Sequence, residues 1–195
     1  VGFKPTIGLV SRTGIIPISH TADTAGPLTK DVGDAARLLS VMAGPDPNDP
    51  ATDNIPPKMS FDFEAGLESA SLEGMRFGVP NQHLGNHAAT DEMFEGELAK
   101  LEAAGVELVE GDIPTWADYG NDLMTILLHE FKADLNDYLA SHKTPGQALT
   151  LAELIQFNED HAKEVMPHFG QETFIEAEAT TGLDAQVYLD ALVGL

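Results

Sequence analysis

Cysteine is absent from the 195 residues. That absence excludes disulfides, thiolate zinc sites, iron–sulfur clusters and cysteine nucleophiles together. Basic residues are scarce: 10 Lys and Arg stand against 32 Asp and Glu, a formal charge of −22. A field of that sign repels phosphate backbones and anionic lipid, so neither nucleic acid nor a membrane is expected as a partner. No apolar run approaches the roughly 18 residues of a membrane helix, and no charged-then-apolar leader opens the chain. An initiator methionine is also missing. Val1-Gly2-Phe3 reads as the middle of an element, so a processed or cut chain is expected. Nothing in these residues points to a compartment.

What is present is the composition of an ordinary globular protein, 43% hydrophobic and 22% charged, long enough to bury a core. Residues 1–27 are apolar stretches broken by Gly2, Pro5, Gly8, Gly14, Pro17, Gly26 and Pro27, which predicts brief strands and tight loops. Thr29 is the expected cap of a helix whose apolar face is Val32, Ala36, Leu39 and Ala43 and whose stop is Gly44-Pro45. A proline-rich loop follows over 46–62. Met75, Phe77 and Val79 then predict a strand ending at Pro80. Phe94, Leu98 and Leu101 predict a helix from about Thr90 to Gly105, and Val106 with Leu108 a second strand. Strand, helix and strand within about 35 residues imply a βαβ unit with parallel strands.

The chain beyond is helical in pattern. Leu123, Leu127, Phe131 and Leu135 form one stripe over 116–140, with a capping box at Thr115 and Asp118. Thr150 and Glu153 offer another box, opening a helix that contains Leu154, Ile155 and Phe157 and stops by Pro167. A last helical stretch lies near Asp184–Leu192. The expected fold class is α/β, helix-rich in its second half, as a single domain over 1–195. Its parts are 1–45, the loop 46–62, a strand–helix–strand unit over 63–114, and the helical 115–195.

The residues alone supply no catalytic motif. His83 and His87 lack a third metal ligand, and zinc wants at least three protein groups. Asp46, Asn48, Asp49 and Asp53 suggest a calcium loop, but Pro50 stands where a ligand is needed. Glu92, Glu95, Glu97 and Glu102 read as a solvated helix face. Ser19, His20 and Asp23 are too close in sequence for a serine–histidine–aspartate triad, and no Gly-x-Ser-x-Gly elbow or phosphate loop exists.

An ordered set of segments does carry a resemblance. Gly2-Phe3-Lys4-Pro5-Thr6, Gly8-Leu9-Val10-Ser11, Gly14-Ile15-Ile16-Pro17 and Asp23-Thr24-Ala25-Gly26-Pro27 resemble the downstream half of the amidase signature. The helix from Thr29 to Ala36 continues it. Leu151–Asn158 and His168–Thr180 are similar to a subgroup resembling bacterial peptide amidases.

The resemblance implies part of an α/β/α sandwich on a mixed sheet, from an enzyme that hydrolyses carboxamides without metal or organic cofactor. It implies a mechanism in which a lysine, acting through a bridging serine, activates a nucleophilic serine. Those residues would lie ahead of Val1, so the chain would be an internal fragment, inactive alone, and neither Lys4 nor Ser11 takes a catalytic role. The substrate would be a small-molecule or peptide amide. As pocket candidates the resemblance offers Asp23, which would either bond backbone N–H groups in a turn or touch substrate, with Glu130 and Phe131 at the acyl pocket and His168, Phe169 and Gln171 at its rim. The alternative is a non-catalytic α/β binding module whose exposed sheet edges self-associate or take up a partner.

Overall fold

A computed structural model describes residues 1–83, 85, 87–115, 120–142 and 150–195. The chain divides into two compact units, Val1–Glu64 with Gly120–Leu195, and Ala65–Tyr119.

The smaller unit is the expected βαβ. Strand β1 (Arg76–Pro80) and strand β2 (Glu107–Gly111) pair in parallel, with Phe77 opposite Leu108 and Val79 opposite Glu110. Helix α2 (Ala88–Ala103) connects them. It starts two residues earlier than Thr90, because the His87 ring rather than a hydroxyl accepts the Thr90 N–H at 3.3 Å. Histidine is not among the usual caps, so the sequence offered no signal for it. His87 is thereby committed to the helix start. The side chain of His83 and the whole of Asp118, with its capping box, lie outside the described residues.

In the larger unit, the 1–27 segment forms no strand among its described residues. It makes isolated bridges only, Gly2 with Leu28 and Val10 with Ala43. Pro5, Pro17 and Pro27 have no N–H to give a ladder, and Gly8 and Gly14 turn the chain at positive φ. Helix α1 (Val32–Met42) follows, capped by Asp31 and not by Thr29. The Asp31 carboxylate accepts the Asp34 N–H at 2.9 Å, while the Thr29 hydroxyl is used as a donor to the Asp31 carbonyl.

The proline loop is tied back onto the 8–13 segment by two carboxylates. Asp46 accepts the Ser11 and Thr13 hydroxyls, both at 2.6 Å, and the Asn48 N–H. Asp49 takes a two-pronged contact from the Arg12 guanidinium at 2.9 and 2.7 Å. These donors occupy the oxygens that a calcium loop would have offered. They also hold Asp46 down at about 2 and Asp49 well below the usual carboxylate range, the first through the hydroxyls and the second through Arg12. A carboxyl depressed in the folded state stabilises above its unfolded pKa of about 3.9 and loses that contribution as protons bind below it. Thermal stability should therefore fall between about pH 4 and pH 2. Replacing Asp49 with asparagine should flatten that fall in a pH series of melting curves.

The helices α3 (Gly120–Ser141), α4 (Leu151–Asp160), α5 (Ala162–Val165), α6 (Glu172–Glu178) and α7 (Gln186–Gly194) build the rest. Helix α4 has the expected Thr150 cap, whose hydroxyl accepts the Glu153 N–H. It breaks earlier than Pro167, at His161, whose ring bonds the Phe157 carbonyl and stacks on the Phe157 ring. Helix α6 falls within the expected helical 115–195, though the sequence marks it with no cap or stop of its own. Lys132 finishes it from α3, donating to the carbonyls of Glu178 and Thr180 at its C-terminal end.

Helix α3 is the spine, packing on α6 and α7. Its most buried residues are Ile126, His129, Glu130 and Leu135, so only Leu135 of the expected stripe is fully enclosed. Ile126 packs with Tyr188 and Ala191. Leu135 joins Leu151 and Ala177, and Phe131 and Phe174 pack against them with their rings tilted to one another and centroids 5.2 Å apart. Complete burial of Leu151 contributes about 2 kcal/mol by area. No helix among the described residues is long and apolar enough to cross a membrane.

Candidate functional site

The turn Ile18–Asp23 is densely hydrogen-bonded. It closes on itself through a serine and an aspartate, the residue types that bond nearby backbone. The Ser19 carbonyl accepts the N–H groups of Ala22 and Asp23, and its hydroxyl accepts the Ala22 N–H at 3.0 Å. Asp23 reaches back with Oδ2 to accept the N–H groups of Ile18 and Ser19 at 2.8 and 2.9 Å.

Two carboxylates one helical turn apart on α3 then grip three consecutive residues of this turn. Glu130 accepts the Ser19 hydroxyl at 2.5 Å, the Thr21 hydroxyl at 2.6 Å and the Thr21 N–H at 3.0 Å. Asp134 accepts the backbone N–H of His20 at 2.8 Å and faces its ring Nδ1 at 2.9 Å. From α7, the Tyr188 hydroxyl donates to Glu130 at 2.8 Å. Ser19 and Glu130 are wholly enclosed. A buried carboxylate is tolerable only when its lone pairs are used, and here both oxygens are.

Burial pushes the Glu130 carboxyl up, but the bonds from Ser19, Thr21 and Tyr188 outweigh it and leave the group below its ordinary value. For Asp134 burial wins over His20 and the carboxyl is raised. The Tyr188 phenol is pushed up to about 12 by burial and by the Glu130 charge.

Beside the turn lies an open cavity of about 230 Å³, lined among others by Arg12, Pro17, His20, Asp23, Asp49 and Asp134. Arg12 ties two parts of its lining together, bonding Asp49 and donating to the His20 carbonyl at 2.5 Å. His20, Glu130 and Asp134 each bring a metal-capable atom within 4.8 Å of the others. The His20 ring, however, lies between the two carboxylates, with Nε2 at 3.2 Å from Glu130. Glu130 already serves four O–H and N–H donors, so the cluster is a hydrogen-bond network and no cation is assigned to it.

Of the residues singled out in the sequence, Asp23 and Glu130 meet at this turn, joined through Ser19. Phe131 points the other way, into the core against Phe174. Gln171 donates to the Ile155 carbonyl and accepts from Asn158. With the exposed Phe169 it lines a different cavity, of about 410 Å³, and His168 is exposed nearby in sequence. Sequence reasoning missed Thr21, Asp134, Tyr188 and the Arg12–Asp49 pair. One signal was available for Asp134: it stands four residues after Glu130, on the same helix face. The Ser19 hydroxyl is spent on Glu130 and not on His20, which agrees with rejecting a triad.

The comparisons with known proteins fit this frame. The Amidase family model matches residues 1–189. A protein of Arabidopsis thaliana described as a probable amidase is 37% identical, over 94% of this chain and 36% of its own length. The native peptide amidase of Stenotrophomonas maltophilia is 41% identical and superposes with a TM-score of 0.87, over 96% of this chain and 38% of its own. An amidase family protein of Bacillus anthracis gives 28% and 0.83, over 99% and 37%. The chain thus spans somewhat more than a third of the length of these relatives. Matched along nearly its whole length in sequence and in fold, the chain belongs to the amidase family.

Proposed function

We propose that these 195 residues are one part of an amidase domain, in a longer protein that hydrolyses carboxamide C–N bonds to an acid and ammonia or an amine. The observation that carries the reading is the family match over residues 1–189, within which the Asp23–Pro27 motif sits on a turn fixed at the edge of a cavity. The family resemblance supplies the chemistry. A lysine draws a proton through a bridging serine, a second serine attacks the amide carbonyl, and backbone N–H groups hold the oxyanion. None of those residues maps onto this chain, which supplies cavity wall and support. No cofactor enters the reading. Peptide amides are the first substrates to test, given the Stenotrophomonas maltophilia relative.

The test is to express the reading frame that extends ahead of Val1 and follow ammonia release from a C-terminally amidated peptide and from a simple aromatic amide. Turnover by the extended protein, lost when its predicted serine nucleophile is replaced by alanine, is the expected result. A start codon close to Val1, or an extended protein with the lysine and both serines but no turnover on either substrate, would overturn the reading. Turnover by the 195 residues alone would show that their machinery had been misplaced.

A further inference from the structure

The turn that carries Asp23 is held by more than its own hydrogen bonds, and the holding groups belong to one helix. Ser19, His20 and Thr21 are each bonded to α3, the outer two through Glu130 and the middle one through Asp134. Ser19 is the hinge between the two systems. Its hydroxyl goes to Glu130, while its N–H and carbonyl are bonded to Asp23. Any shift of Glu130 therefore moves Ser19, and any shift of Ser19 moves Asp23.

Asp23 uses one carboxylate oxygen, Oδ2, to close the turn. Its other oxygen has no hydrogen-bond partner among the described residues, and the residue lines the cavity. The remaining cavity carboxylates are engaged: Asp49 by Arg12 and Asp134 by His20. An unengaged carboxylate oxygen, backed by a rigid turn, is a hydrogen-bond acceptor with a fixed place, and it suits the N–H of an amide substrate. Glu130 is enclosed and is not part of the cavity lining, so it acts only through the residues of the turn.

We propose that Glu130 and Asp134 are positioning residues of the enzyme, setting through Ser19, His20 and Thr21 the place at which Asp23 accepts a substrate N–H. The proposal rests on the amidase reading above. It differs from the expectation that Glu130 borders the acyl pocket itself, because a fully buried side chain cannot do that.

Substitutions at Glu130 threaten folding, so the test uses gentler ones in the extended protein. Thr21→Val keeps the shape and the backbone N–H but removes the hydroxyl that donates to Glu130. Thr21→Ser restores that hydroxyl. Asp134→Asn removes the charge that orients His20. With a peptide amide as substrate, Thr21→Val and Asp134→Asn should each raise KM roughly tenfold or more while kcat stays within about twofold of the parent, the mark of lost binding and not of lost chemistry. Thr21→Ser should return KM to the parent value. Asp23→Asn, assayed alongside, should show the same KM effect directly.

An unchanged KM in both Thr21→Val and Asp134→Asn, with only a lower melting temperature, would reduce the network to scaffolding and overturn the proposal. So would a Thr21→Ser protein as impaired as Thr21→Val. If the parent protein itself turns over no amide, the amidase reading falls and the proposal falls with it, an outcome distinct from the other two.

Discussion

Replacing Glu130 with alanine should lower the stability of the protein by about 4 kcal/mol, at the severe end of single substitutions. The carboxylate is wholly enclosed and receives the hydroxyls of Ser19, Thr21 and Tyr188 and the Thr21 N–H. Each buried donor left without an acceptor costs about 1–3 kcal/mol, and the alanine opens a void beside Ser19 and Tyr188 as well. The separate penalties do not add fully, because rotating hydroxyls and entering water recover part of them. Glutamine should cost less, about 2 kcal/mol: the volume and one acceptor remain, but its NH2 group meets donors and the charge assistance is lost. Urea unfolding checks both values, with a lower midpoint at an unchanged slope as the expected signature. A Glu130→Ala protein within 1 kcal/mol of the parent would show that the network contributes little.

Gly26→Ala should cost about 3 kcal/mol or more for a different reason. A β-carbon at that position would run into the Phe3 carbonyl oxygen and lie 2.8 Å from the Pro5 ring. Neither neighbour yields easily. Phe3 is fixed by its N–H bond to the Pro27 carbonyl, and the chain on the other side is bridged from Gly2 to Leu28. Overpacking against backbone forces the two segments apart, and the bridge is lost with the contact. The same substitution at Gly96, on exposed α2 with open space around it, should stabilise slightly, since alanine is the better helix former. The pair, measured together by thermal unfolding, separates a steric role for Gly26 from a general response to alanine.

The parts of the fold that sequence made legible are those set by local periodicity. Leu39 and Ala36 at helical spacing, with Gly44-Pro45 behind them, fix α1. Phe77 and Val79 alternating before Pro80 fix β1. What was illegible depends on partners far along the chain. Helix α6 is seven residues long and is finished by Lys132 from another helix, so its own sequence gives it little independence. Nothing near Thr150 tells that α4 will break at His161, because the break comes from a ring bonding to its own preceding turn.

The candidate site divides the same way. Asp23 and Gly26-Pro27 stand in a recognisable string, and Asp23 bonds the backbone N–H groups of its turn. The resemblance puts Glu130 at the acyl pocket, whereas its side chain is wholly enclosed and bonded to Ser19, Thr21 and Tyr188. Tyr188 could be read as helical but not as a donor to a residue on another helix. Long-range hydrogen bonds leave no periodicity in sequence. Only the polar residue types at Ser19, Thr21, Glu130 and Asp134 hint that they will find one another.

The spacing of those partners has a consequence for synthesis. Glu130 follows Ser19 by 111 residues, and Tyr188 follows Glu130 by another 58. At translation rates of about 5–20 residues per second, the ribosome needs roughly 6–22 seconds after making Ser19 to make the carboxylate that receives it. Throughout that interval the opening segment has its internal turn but no anchor, and its donors must stay bonded to water. The stretch that most plainly marks the family is therefore made well before its anchor, and it cannot be locked in place until α3 has emerged.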